Sequence, residues 1–318
     1  MKLTKKQEYE LLASISARGE IPTKFIYLVE NGAEIWDRVY KHRSTESEMS
    51  GAEISLLLNH IDSFINVFSN SKKINLVDLG CGNGLPAIEI LKQLKKHEFD
   101  FTYTAVDISS DMISLTTENL KAEFSGLAIN KLVKDFEKES LTDDLLNIKQ
   151  QNNYPNFLID LGNTLGNHVN AASVLTNFLE SMTTDDYLLV GNGLANEYNP
   201  QKILSAYNVD ALIDIATGPA RDLDLYDDND DFKYIWNSNK NRVEGRVRLS
   251  RDRQIKLADQ DLHLSANEEL LVLQSYKFSE TSLTKLLSDS GFRTELLTTT
   301  KDRSHILTMV QPTRYSVA

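Results

Sequence analysis

The amino-acid sequence predicts an α/β fold: a Rossmann-like sheet of parallel strands with helices on both faces, interrupted by an inserted α+β region. Residues 74–79 form a short apolar run of the kind a strand buried on both faces shows. That run breaks into Gly80, Gly82 and Gly84 before a stretch of helical spacing. From there to about residue 192, apolar runs alternate with helical patterns, as βαβ units require. Beyond residue 193 the alternation stops, and 242–278 reads as antiparallel strands. We therefore expect one domain from 70–192 plus 279–318, and a substrate-recognition domain from 1–69 plus 193–278.

Taken in order, residues 4–17 carry a modest amphipathic helical pattern, 21–27 reads as extended, and Asn31-Gly32 as a turn. Helices are expected over 33–40 and 53–68, with the polar stretch 42–51 between them a loop able to cover a pocket. Core strands are expected at 74–79, 101–107, 129–134, 156–161 and 187–191, with helices at 85–96, 110–124 and 171–182. Pro86 suits a first helical turn, where its missing N–H costs nothing, and Ile88, Leu91 and Leu94 share a face. Ser109 or Ser110 can cap the next helix, whose apolar side carries Met112, Leu115 and Leu120.

Residues 198–236 read as mostly helical, with the acidic run at 221–231 a solvated loop. Val243, Val247 and Leu249 alternate with Arg242, Arg246 and Arg248, which predicts a strand with a solvated basic face. A helix over 282–290, stopped by Gly291, and strands at 292–299 and 305–310 return to the first domain's sheet.

The glycine turn is the chemical centre. A strand, a glycine turn and a helix N-terminus bring free N–H groups to a ligand. The spacing is G-x-G-x-G with Asp78 two residues ahead of Gly80, which differs from the G-x-G-x-x-G of dinucleotide enzymes. No Lys-Ser/Thr follows, so a triphosphate-gripping loop is not expected. The second strand ends in Asp107, followed by Ile108, where an acidic residue meets the two hydroxyls of a ribose. This is the pattern of S-adenosylmethionine (SAM) enzymes. After the third strand, Asp135 can accept from an adenine amino group while Phe136 packs on the ring. After the fourth, Gly162 and Asn163 open a loop suited to both cofactor and substrate.

Composition narrows the partners. A net charge of −12 speaks against nucleic acid, which needs a basic face. No apolar run approaches the roughly 20 residues that span a bilayer, and the N-terminus runs straight into a charged helical pattern, unlike a signal peptide. The single cysteine fits a reducing cytoplasm; Cys81, inside the glycine turn, reads as a small buried residue and not a nucleophile. Six histidines show no paired metal-ligand spacing, so no metal is expected.

Four further stretches carry a family resemblance. Lys24-Phe25-Ile26-Tyr27 with Asn31-Gly32 and Trp36, the loop Leu161-Gly162-Asn163-Thr164-Leu165-Gly166-Asn167, Glu197-Tyr198-Asn199, and Ser275-Tyr276-Lys277-Phe278 resemble segments of one family. That family is the histidine-specific SAM-dependent N-methyltransferases of ergothioneine biosynthesis, with their fungal amine-methylating relatives. The resemblance, over about 21–310, implies a class I SAM methyltransferase core. It implies cofactor binding by Gly80, Asp107, Asp135 and Phe136, to which the motif reading adds Asp78, Gly82, Gly84, Ile108, Gly162 and Asn163. It implies that Asn167 and Tyr198 grip a substrate carboxylate, that Tyr27 lines the amino-acid pocket, and that Ser275 contacts the substrate side chain.

Two departures accompany it. Leu273 stands where the family carries the Glu that reads the imidazole, and of the family's Tyr-Tyr-Pro-Thr-Arg-Thr-Glu loop only Glu53 aligns. An isobutyl group accepts no N–H, so an amino acid or amino-acid-derived amine other than histidine is expected as the small-molecule substrate. Tyr27 and Tyr198 are the candidates for orienting its amine. Alternatives are a bulky apolar or aromatic amine of secondary metabolism, and a non-catalytic SAM-binding regulatory subunit. The oligomeric state is not legible.

Overall fold

The computed structural model describes residues 1, 3–46, 48–195 and 200–313. The chain opens with α1 (Lys5–Arg18), capped at Thr4 by a reciprocal bond pair with Gln7, then a 3-10 segment at Thr23–Leu28. Next come α2 (Gly32–Glu46), α3 (Glu48–Asn66), β1 (Lys73–Leu79), α4 (Leu85–Lys96), β2 (Asp100–Asp107), α5 (Ser110–Glu123) and β3 (Ile129–Val133). Then follow α6 (Thr142–Asn152), β4 (Asn156–Asp160), α7 (Ala171–Glu180), β5 (Tyr187–Gly193), α8 (Pro200–Ser205) and α9 (Asp210–Asp222). Strands β6 (Asp231–Asn237), β7 (Arg242–Arg248), β8 (Arg253–Leu257), β9 (Gln260–Leu264) and β10 (Glu269–Tyr276) precede α10 (Glu280–Asp289), β11 (Phe292–Thr299) and β12 (His305–Pro312).

Three local expectations are corrected. The stretch after Pro22 is a 3-10 turn and not extended chain. Within the polar stretch expected as a loop, residues 42–46 continue the backbone of α2 and 48–51 begin that of α3; Arg43, Glu46, Glu48 and Met49 are good helix formers. Helix α6 went unpredicted because only Leu145 and Ile148 of its residues are buried, which leaves little periodicity to read.

The chain forms two compact units. One comprises His42–Gly166, Asn170–Glu197 and Phe278–Ala318. Its seven-stranded sheet runs β11-β12-β5-β4-β1-β2-β3, with β1 to β5 parallel and β12 and β11 antiparallel additions. Strand order reverses at β1, so a ligand crevice is expected outside the carboxyl ends of β1 and β4. Side chains alternate between two cores. Leu76, Tyr103, Phe157 and Leu189 pack under α3, α4 and α5. Val77, Val106, Leu158 and Val190 pack under α6, α7 and α10.

The other unit comprises Met1–Lys41, Asn167–Val169 and Tyr198–Lys277. It holds the antiparallel sheet β10-β7-β6 and the hairpin β8-β9 around Leu11, Ile15, Phe25, Val247, Leu270 and Val272. Two stretches expected to be solvated each hold buried charged residues among exposed ones. Within the basic strand, Arg242 is 3% and Glu244 0% exposed. Glu244 takes Arg242 Nε at 2.7 Å and Asn237 Nδ2 at 2.9 Å through one oxygen, and Arg246 through the other.

In the acidic run, Asp230 is a buried clip. Its Oδ1 accepts the Ser250 N–H at 2.7 Å and the Ser250 hydroxyl at 2.8 Å, while Oδ2 accepts the Asp227 N–H at 2.8 Å and pairs with Arg253. Burial pushes its carboxyl up, but these donors outweigh that and hold it below the ordinary carboxylate range. Removing one partner of a buried pair strands the other, so Asp230→Ala should destabilise the protein by about 3 kcal/mol. Exposed Asp228→Ala should change it by less than about 0.5 kcal/mol. Urea unfolding of both variants against the parent checks the contrast; equal effects would mean the clip carries nothing.

Candidate active site

The turn after β1 is built by steric exclusion. Gly84 sits at φ 73°, and a Cβ there would lie 2.8 Å from Thr116 Cγ2. Thr116 uses the space: its hydroxyl donates to the Gly82 carbonyl at 2.7 Å, pinning the turn to α5. Asp107 pins it from the other side. Its carboxylate accepts the Gly82 N–H at 3.3 Å and the Ser109 N–H at 2.9 Å. Ser109 itself caps α5 by accepting the Met112 N–H. Ile108 follows, half-buried at the strand tip.

The other cofactor candidates gather along the same edge. Phe136 is 7% exposed, and its ring reaches to 4.0 Å from where a Gly80 Cβ would stand. Asp135 lies in the turn after β3, where its Oδ1 accepts the Glu137 N–H at 3.2 Å. Across from Gly80 is the loop after β4: a Gly80 Cβ would lie 3.2 Å from Thr164 Cγ2. Gly162 has φ 72° and nothing within 4 Å of its absent side chain, while Asn163 Oδ1 accepts the Gly193 N–H at 3.0 Å.

Asp78 is 6% exposed and accepts the Tyr103 hydroxyl at 2.6 Å. Burial pushes Asp78 up to about 7, and burial likewise pushes Asp107 up to about 6. Cys81, also buried, has its thiol pushed well up by desolvation and by the two carboxylates, so it stays protonated. A pair of buried carboxylates held by neutral donors fits a ligand that brings hydroxyls and positive charge. SAM is such a ligand: a ribose that Asp107 would meet, and an adenine that Phe136 would cover.

The substrate candidates occupy the other unit. Tyr27 lies in the 3-10 segment, its ring edge-on to Trp36 with centroids 5.5 Å apart. Asn167 Nδ2 donates to the Tyr27 hydroxyl at 3.4 Å. Leu273 and Ser275 lie two apart on β10, hence on one face, and both are buried. That strand is tied to the segment carrying Tyr27, because Thr23 Oγ1 accepts the Gln274 N–H at 2.9 Å. Tyr198, with Glu197 and Asn199, lies outside the described residues.

Some neighbours escaped sequence reasoning. Ser275 Oγ accepts the Tyr207 hydroxyl at 2.8 Å and the Lys277 ammonium at 3.2 Å. Period-2 alternation from Ser275 would have found Lys277; nothing local flags Tyr207 or Tyr103.

The model of the family described as "Histidine-specific methyltransferase, SAM-dependent" matches residues 7–312. The histidine N-alpha-methyltransferase of Mycobacterium tuberculosis is 26% identical over 285 residues, covering 85% of this chain and 84% of that one. The N-methyltransferase imqF of Aspergillus flavus is 20% identical over 305 residues, covering 90% of this chain and 79% of that one. Among solved structures, magnesium protoporphyrin IX methyltransferase from Synechocystis with bound SAM superposes with a TM-score of 0.51 at 11% identity, over 92% of this chain and 98% of that chain. This last likeness concerns the fold alone.

The two raised carboxyls give a signed pH dependence. Their ordinary value is 3.8, so between about pH 4 and 7 the folded protein holds more protons than the unfolded one. Their contribution to stability is therefore greatest at low pH and falls as pH rises across that window. Asp78→Asn removes its share of the slope. In urea unfolding of cofactor-free protein, the variant should gain on the parent by on the order of 2 kcal/mol between pH 5 and pH 8. Parallel profiles would mean that Asp78 ionises in the fold as readily as in water.

Proposed function

Because the chain belongs to the histidine-specific, SAM-dependent methyltransferase family, we propose that it methylates the amino group of an amino acid or amino-acid-derived small molecule other than histidine. The observation that carries the second half of this reading is Leu273, 5% exposed on β10 two residues before Ser275. An apolar side chain there accepts no ring N–H. Strand alternation puts Glu244 of β7 on the opposite face, engaged by Arg242, Arg246 and Asn237. Polar anchors remain for an amino-acid frame: Asn167 and Tyr27, with Tyr198 from the resemblance, would hold the α-carboxylate and orient the amine.

SAM, when bound, supplies an already activated methyl group, so the protein's work is alignment and exclusion of water. A neutral amine is the nucleophile. Asp107 and Phe136 would hold SAM, which would supply the methyl group to that amine's lone pair and leave as the neutral thioether. A free α-amine titrates near pH 8, so its proton must leave before transfer. Tyr27 is placed in this reading to orient the amine, and water receives the proton; no strong base is invoked.

A second reading has its own observation. Phe232, Tyr234 and Leu273 crowd the place where a Gly245 side chain would stand, at 3.2–3.3 Å. Such an apolar, aromatic surround suits a bulky aromatic amine. Transfer of labelled methyl from SAM to a panel of amino acids and biogenic amines, resolved by mass spectrometry, separates the two. Turnover of an α-amino acid supports the first reading, and turnover only of amines lacking a carboxylate supports the second. Efficient turnover of histidine would overturn the exclusion drawn from Leu273. On the first reading, Asn167→Ala should raise the acceptor KM on the order of tenfold while leaving SAM affinity within about twofold. Equal loss of both would remove Asn167 from the acceptor site.

A further inference from the structure

Helix α3 packs on the large sheet through Leu56, Leu57, Ile61, Phe64 and Ile65, yet it also turns a carboxylate inward. Glu53 is 5% exposed. Its Oε1 accepts the Gly162 N–H at 2.9 Å, at the carboxyl end of β4. Its Oε2 fills space on the neighbouring strand: a Cβ at Gly191 would lie 2.5 Å from that oxygen and 2.9 Å from Leu161 Cδ2. Glycine at 191 is thus what lets the carboxylate in.

The strand order gives this position its meaning. Asp78 and Asp107 mark the β1–β2 end of the crevice, and Glu53 lies over β4 and β5 on the other side of the switch point. A nucleoside whose ribose meets Asp107 extends its remaining end past Gly80 toward Gly162, where the backbone is open. In SAM that end carries the sulfonium. SAM has a net charge of +1 there, whereas its demethylated product, with a neutral thioether, has none. A buried carboxylate acts more strongly on such a difference than one in water.

We infer that Glu53 is the electrostatic recognition residue for the sulfonium, favouring the methyl-bearing cofactor over the spent one and so easing product release. The inference rests on SAM as cofactor and not on which amine is methylated. Its failure is thus separate from any failure of the substrate panel.

The test is calorimetric binding of SAM and of S-adenosylhomocysteine to the full chain and to Glu53→Gln and Glu53→Asp. Glutamine keeps the shape and the oxygen that accepts from Gly162, removes the charge, and turns the other oxygen into an NH2 donor. Glu53→Gln should weaken SAM by roughly tenfold or more and the product by less than about threefold. Glu53→Asp, which keeps the charge, should retain most of the preference for SAM. Equal weakening of both ligands by Glu53→Gln, or no weakening of either, would overturn the inference and leave Glu53 a support for the Gly162 loop. Glu53→Asp behaving like Glu53→Gln would likewise exclude charge as the cause.

Discussion

Asp107 bonds the N–H of Gly82 and the N–H of Ser109, and through those two contacts one carboxylate joins the turn after β1 to the start of α5 after β2. Everything at the ligand edge of the sheet is set from there. The turn must be glycine-rich because Thr116 occupies the volume a side chain at Gly84 would need. The turn is held in shape because the N–H and carbonyl of Gly82 are committed to Asp107 and Thr116. Strand order reverses at β1, so the crevice expected there opens between β1 and β4, at whose end Gly162 and Glu53 stand.

Much of this edge was legible because its constraints are local in sequence. A positive φ forces glycine, a strand tip fixes the reach of Asp107, and a helix start asks for a capping Ser109. The last strand was legible for a related reason: Ile306, Leu307, Met309 and Val310 make a short apolar run buried on both faces. Helix α6 was not, since its polar face outweighs two buried residues. Nor were contacts between distant positions. Tyr103 finds Asp78 across 25 residues and Glu53 finds Gly162 across 109, and no periodicity encodes either meeting.

The smaller sheet teaches a different limit. Alternation along β7 told correctly which residues share a face, but not what covers that face. Arg242, Arg246 and Arg248 were expected as a solvated row; Arg248 is exposed, but Arg242 is buried in a network with Glu244, Asn237 and Gln274 that the half-buried Arg246 joins. Burying such charges is tolerable only when every donor and acceptor is matched, which is why Glu244 takes donors on both oxygens. The cluster also keeps its carboxylate on the far face from Leu273, so the polarity of the Leu273 face is set without it.

The carboxylates of the two units therefore answer to different demands. Asp230 and Glu244 are held below the ordinary carboxylate range by arginines and N–H donors that outweigh their burial, and they stabilise the fold that contains them. Asp78 and Asp107 are pushed above it by burial, which outweighs the phenol and the backbone N–H groups that bond them. A fold selected for stability alone would have matched them with a cation or replaced them by apolar residues. Keeping them desolvated and incompletely compensated costs free energy in the empty protein. A ligand bringing hydroxyls and positive charge would offset that cost.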